Sequence, residues 1–167
     1  MEIAFQHIED SDRIWVYQAN RILSNEEISA LTDSGKMFVE NWAAHGQPLR
    51  AEIIVLHHLF VIVVLDEKQA MATGCSIDKS IGWITAMGLK LGIDFLDRTQ
   101  IAWYDDKEQL QISSLDEFDA LANQSQIGSD TMVYNNLVFS GKELKNNWMI
   151  PAKESWHNRY FSKELQN

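Results

Sequence analysis

The chain has 167 residues, 46% apolar and 23% charged, with 24 acidic against 14 basic side chains and a formal net charge of −10. A chain of this length suits one domain and buries roughly 70% of its unfolded surface, so its core needs neither a disulfide nor a metal. The acidic balance, with no cluster of Lys and Arg, excludes nucleic acid and anionic membrane from the expected partners.

The single cysteine, Cys75, excludes an internal disulfide and a Cys-rich zinc site. No cofactor is implied. The first turns of the chain carry Glu2, Glu9, Asp10 and Asp12 and lack the apolar stretch of a secretory leader. The apolar run from Ile53 to Leu65 is broken by His57-His58 and is too short to span a bilayer. A soluble cytoplasmic protein is the expectation.

In chain order, residues 1–11 read as a short strand or irregular lead-in. Arg13 to Gln18 reads as a strand, with Ile14 and Val16 on one side and Trp15 and Tyr17 on the other. Ser24 and Glu27 form a capping box that opens a helix over 24–43. Its inner face is Ile28, Leu31, Phe38, Val39 and Trp42, with Gly35 allowing close packing, and His45-Gly46-Gln47-Pro48 is its expected stop. Arg50–His57 and Leu59–Asp66 read as two strands joined at His57-His58, with a single long strand as the alternative, and their apolar runs favour a central position covered on at least one face. A second helix over 76–91 shows a stripe of Ile77, Ile81, Ile84, Met87 or Gly88, and Leu91, and ends at Gly92. Gln100–Tyr104 and Gln109–Ile112 read as strands around a turn. Ser114 with Glu117 caps a short helix that points Phe118 inward, and Thr131–Phe139 is extended. Beyond Lys142, Trp148, Ile150, Trp156, Tyr160 and Phe161 are too apolar for a free tail and should pack back on the domain.

This order, β-α-β-β-α-β, predicts an α+β fold of ferredoxin-like (split βαβ) type. It is one antiparallel-dominated sheet with both helices on the same face and a C-terminal extension, all within a single 1–167 domain. Another α+β sandwich is the alternative.

The chemistry centres on Thr73–Ser80. Cys75 falls at a helix start, where unpaired amides and the helix dipole favour a thiolate. A nucleophilic cysteine needs a base, and His45 and His157 are the candidates carried forward, with His57 and His58 also open. Read as a binding site, Gly74, Ser76 and Asp78 would meet a ligand at the helix start, and Trp42 and Trp156 would wall an aromatic pocket. The histidines lack metal-ligand spacing, so no metal is expected. Gly35-Lys36 and Gly141-Lys142 both lack the glycine and the Ser/Thr of a phosphate loop.

The runs 38–46 (FVENWAAHG), 74–80 (GCSIDKS) and 95–98 (FLDR), with 148–152 (WMIPA) and Ser155-Trp156-His157, resemble a family of short bacterial proteins of no assigned activity. Members are often labelled ABC transporter ATPases. The phosphate loop that this label requires is missing here, and the resemblance implies no catalytic residue. Three functions are therefore carried forward. The first is a non-catalytic module binding a small molecule or a protein partner. The others are a thiol-dependent enzyme using Cys75 and a structural homodimer formed through a sheet edge such as Gln100–Tyr104.

Overall fold

The computed structural model describes residues 3–162; of the lead-in, Met1 and Glu2 lie outside the described residues. The chain, taken above as one domain, groups into two compact units: Met1–Asp97 with Val138–Lys145, and Arg98–Leu137 with Asn146–Asn167. The elements in order are β1 (Arg13–Gln18), α1 (Asn25–Glu40), β2 (Ala43–Ala44), β3 (Gln47–Pro48), β4 (Arg50–Leu56), β5 (Phe60–Asp66) and α2 (Gly74–Leu91). They continue with β6 (Gln100–Tyr104), β7 (Leu110–Ser114), α3 (Leu115–Asn123), β8 (Met132–Tyr134), α4 (Gly141–Asn147) and β9 (Met149–Pro151). The fold is mixed α/β with antiparallel sheets.

In the first unit the sheet order is β1-β5-β4, antiparallel throughout. β1 and β4 therefore run parallel with β5 between them, and α1 links the two: a split β-α-β. The register aligns Trp15, Val63 and Ile53 in one row, and Ile14, Val64 and Glu52 in the next. Alternation sends these rows to opposite faces. The first row faces the helices. A Cβ at Gly35 of α1 would come to 3.1 Å from the Ile53 side chain, so this glycine lets helix and strand approach closely. α2 lies beside α1, with Trp83 stacked on Phe38 at 5.5 Å and its indole N–H donating to Ser34 Oγ at 3.0 Å. Both helices thus share a layer, as the order of elements implied. On the second face His7 contacts Glu52. Phe60 to Leu65 of β5 are all buried, as a strand covered on both sides must be.

The four-stranded sheet expected of a ferredoxin-like fold is not formed: the first unit's sheet has three strands. Gln100–Tyr104, the expected fourth, is an inner strand of the second unit's sheet, order β7-β6-β8-β9. It is therefore not an unpaired edge. The place beside β1 is taken by residues 139 and 140: the Ile14 N–H donates to Phe139 O at 2.9 Å, and Arg13 bridges to Ser140. The free edge of the first sheet among the described residues is β4, which pairs with β5 alone.

Local chemistry fixes the helix ends. Ser24/Glu27 and Ser114/Glu117 form the expected capping boxes. Glu27 is also gripped by Arg21 through two bonds of 2.9 and 2.7 Å, and Arg21 reaches the Leu91 carbonyl at the end of α2. Arg21 first, and then the Ser24 amide, hold the Glu27 carboxyl down to about 2.

α1 ends at Glu40, earlier than the sequence implies, because Asn41 closes it: its side-chain amide donates to Met37 O at 2.9 Å. His45-Gly46 is then not a helix stop. It is the two-residue turn of the β2-β3 hairpin, with both φ positive at 50° and 76°, a type I′ geometry. His57-His58 is the β4-β5 turn, also with both φ positive. Histidine enters this region more readily than most residues, and His58 is held there by exchanging bonds with the Leu23 backbone.

α2 keeps its predicted stripe at Ile84, Met87 and Gly88 and departs from it at the start, where Ser76 and Ser80 are buried and Ile81 is 38% exposed. There Trp42 lies against the helix, its indole N–H on the Ser76 carbonyl.

In the second unit α3 covers its sheet, and the core is built from Ile101, Trp103, Phe118, Ile127, Val133 and Tyr160. The C-terminal arm does pack back: Tyr160 and Phe161 meet the Phe118 ring edge-on at 5.4 and 6.2 Å.

The segment beside β1 gives a sharp test. Gly141 donates its N–H to Asp12 O at 2.8 Å, and a Cβ there would run into the Glu9 carbonyl. Backbone cannot yield as a side-chain tip can. Gly141→Ala should therefore cost about 2 kcal/mol or more. Urea denaturation checks this, and a loss under about 0.5 kcal/mol would mean that the contact is relieved cheaply.

Candidate functional site

The helix start at Thr73 was the sequence's strongest pointer, and its donors are largely committed. Thr73 Oγ1 accepts the Ser76 N–H at 3.3 Å, Ser76 Oγ accepts the Thr73 N–H at 2.7 Å, and the Ile77 N–H bonds Thr73 O at 2.9 Å. Only the Gly74 and Cys75 amides of that turn remain for a ligand. A Cβ at Gly74 would meet nothing within 4 Å, so no close approach requires a glycine there. Cys75 and Asp78 are exposed, while Ser76 is buried and its Oγ turns back to the Thr73 carbonyl at 2.9 Å. Trp42 is 2% exposed, and its indole N–H donates to the Ser76 carbonyl at 2.8 Å. The structure thus brings Trp42 and Ser76 together as packing, with Trp15 edge-on to Trp42 at 6.4 Å.

His45 is exposed on its turn and makes no hydrogen bond to Cys75. His157 and Trp156 belong to the second unit. There the two rings stack at 3.9 Å, and Arg159 lies over Trp156 at 5.0 Å. His157 is fully buried; its Nδ1 pairs with Ser155 Oγ at 2.6 Å, and its Nε2 has no partner. Burial, and secondarily the nearby Arg159 charge, lower its pKa from 6.5 to about 4.

A different place in the first unit combines polar chemistry with a cavity. A recess of about 370 Å³ opens on the sheet face away from the helices. Its floor comes from strand alternation: Arg50 and Glu52 of β4 stand opposite Asp66 and Val64 of β5. His7, Glu9, Asp12 and Lys68 complete the wall. Asp12 is 6% exposed. Its Oδ2 accepts the Glu9 N–H at 2.8 Å, its carbonyl accepts from Gly141, and its Oδ1 is buried with no donor. The neighbouring charges are matched. His7 sits on Glu52, Arg50 lies 3.8 Å from Asp66, and Lys68 lies 4.0 Å from Glu9.

The sequence carried one faint signal for this site, charged residues at alternate positions of an otherwise apolar strand, Arg50 and Glu52. The contributors are spread over the lead-in and two strands, so no spacing motif could gather them. Two further recesses differ in kind. One beside the end of α2 is walled by Ile84, Leu89, Phe95 and Leu96; the other lies against the loop Ser125–Thr131 of the second unit. Neither holds a buried polar atom lacking a partner, and none of the three includes Cys75.

Among the described residues no group of His, Cys, Asp and Glu is placed to hold a metal ion, and no helix is long and apolar enough to cross a membrane. No family model, no curated protein and no solved structure matches the chain. The chemistry therefore rests on the geometry of the chain itself.

Two outcomes are expected. Cys75 should react with a thiol reagent in the native protein, before unfolding, at a rate that His45→Ala leaves unchanged; a rate lowered severalfold by that change would point to a cysteine–histidine pair. For His157, the folded state holds fewer protons than the unfolded one between pH 6.5 and about 4. Stability is therefore complete above 6.5 and falls as pH drops through this window, by up to about 3 kcal/mol. Denaturation midpoints across the window should show the decline, and His157→Phe should flatten it. An equal slope in the variant would assign the effect elsewhere.

Proposed function

We propose that this protein is a non-catalytic binding module whose site for a small ligand is the recess over β4 and β5. The observation that carries the reading is Asp12. A buried carboxylate oxygen without a donor is costly, of the order of 1–3 kcal/mol. Asp12 is nonetheless a lining residue of an open recess, with Oδ1 itself covered. A few fixed polar groups converging on a concave surface are the usual anatomy of a ligand site. The recess lies on a sheet, an element rigid enough to hold such groups in place.

The thiol-enzyme reading has less support. Cys75 is exposed, but among the described residues no hydrogen bond links it to a base, and activation of a cysteine needs one. The first-turn amides that would favour an anion are partly consumed by the Thr73–Ser76 box.

The test is an amide-resolved titration of the whole chain with a panel of small polar compounds. Saturable shifts should gather at Asp12, Ala51, Glu52 and Val64. A panel that perturbs only Gly74 to Asp78, or nothing at all, would defeat the reading.

A further inference from the structure

We infer that α2 is a self-association surface. Two copies of this chain pair through α2, antiparallel about a two-fold axis near Thr85, and Ile81 of each copy fills the apolar recess beside the end of α2 in the other. The pairing goes beyond the binding-module reading and holds whether or not the recess over β4 and β5 takes a ligand. A helix packed on a sheet ordinarily turns charged side chains to solvent. From Ile81 to Leu89, α2 carries no charged residue. Its outer side over these turns is Ile81, Gly82, Thr85, Ala86 and Leu89, with Ile81 38% and Leu89 83% exposed.

The recess, of about 500 Å³, gives this face a shape as well as an apolar surface. Thr85, Gly88, Leu89 and Gly92 of α2 line it. They stand at i, i+3, i+4 and i+7, the four positions that outline a hole for one side chain of a facing helix. Two of the four are glycine, so the hole is deep, and its floor of Ile84, Ile93 and Phe95 is buried and apolar. Its far wall is held against the helix: the Ile93 N–H donates to Gly88 O at 2.9 Å, and a Cβ at Gly88 would run into the Ile93 carbonyl. Such a hole takes a branched apolar knob. Ile81, one turn before Thr85 on the same side of α2, is one, and it stands partly in solvent.

In an antiparallel pair centred on Thr85, residue 81 of one helix comes level with residue 89 of the other. Both knobs then reach both holes, the closed, isologous arrangement of a two-fold dimer. A parallel pair would set knob against knob and leave the holes empty. Charge favours the same direction. Asp78 is seven residues before Thr85 and so lies on the seam, whereas Lys79 is turned about 100° away. Antiparallel pairing brings Asp78 to the C-terminal end of the partner's α2, where the long side chain of Lys90 stands exposed and Arg21 donates to the Leu91 carbonyl.

The experiment is sedimentation equilibrium of the full chain over about a hundredfold range of concentration. The mass should rise from that of the 19.2 kDa chain toward about twice that value. Ile81→Glu removes the knob, and Leu89→Glu sets a charge on the rim of the hole. Both positions are exposed, so the fold should hold, and each change should weaken the dimer about tenfold or more. Asp78→Lys should weaken it too; a dimer that this change leaves as tight, or tightens, would overturn the antiparallel direction. In a sample mixed from labelled and unlabelled chains, filtered NOEs should join Ile81 of one copy to Phe95 of the other. A chain that stays monomeric over the whole range would overturn the inference, even if a helix of another protein were found to occupy the hole. So would a dimer that both glutamate variants leave unchanged, or one without the Ile81–Phe95 contact, because its interface lies elsewhere. None of these outcomes moves the amides at Asp12, Ala51, Glu52 and Val64 that report on the other recess, so the two readings fail separately.

Discussion

A strand buried on both faces is the constraint from which the first unit follows. Six consecutive residues of β5, Phe60 to Leu65, lie within 5% of complete burial. Each large apolar side chain gains about 1.5–3 kcal/mol by leaving water, so the strand is stable only with a layer on each side. α1 and α2 supply one layer. On the other face lies the lead-in, with His7 on Glu52, while residues 139 and 140 flank β1 and α4 starts against Glu9 and Asp12. The polar recess opens on this face, where β4 and β5 turn from apolar to charged.

What the sequence made legible was mainly local. The starts of α1 and α3 could be read because capping boxes are contained in four residues, and Gly92 because a left-handed helix end favours glycine; α2 begins at Gly74, two residues before its expected start, because Thr73 and Ser76 form a box without the usual Glu or Gln. A covered position for β5 was visible in its unbroken apolar run, though not that both its faces are buried. The destiny of Gln100–Tyr104 was not visible: its composition suits either sheet, and the choice turned on residues 139 and 140 occupying the edge of β1 from some 125 positions away. The stripe of α2 holds at Ile84, Met87 and Gly88 and fails only at its start. Isoleucine at 77 and 81 looks more like core than serine at 76 and 80, yet Ser76 is the residue that meets the Trp42 indole. The steric demand of a distant bulky group does not register in a periodicity.

The candidate site shows the same limit in sharper form. Attention fell on Cys75 because a lone thiol at a helix start is a local pattern with a known chemistry. The structure gives that turn ordinary duties, a cap and a seat for Trp42. The recess draws on His7, Asp12, Glu52 and Asp66, none of them distinctive alone. Of these, Asp12 is met by the Gly141 N–H, a contact between residues 129 positions apart.

Two buried side chains with an unpartnered atom lead to opposite conclusions, and the difference is environmental. His157 is enclosed by Phe118 and Trp156, and lowering its pKa to about 4 keeps it neutral at pH 7. A neutral imidazole nitrogen left without a bond carries only the modest cost of a lost hydrogen bond, offset by stacking. Its Nε2 can stay unpaired because no charge is stranded. Asp12 differs in its surroundings: it stands beside an open recess and among other charged groups, with its backbone and one oxygen already tied. Solvent or a ligand can reach the recess that Asp12 lines, whereas nothing of the kind adjoins His157 among the recesses described. An unsatisfied atom in an aromatic core is a structural cost absorbed by its neighbours. The same deficit in a residue that lines a polar recess has no aromatic neighbours to absorb it.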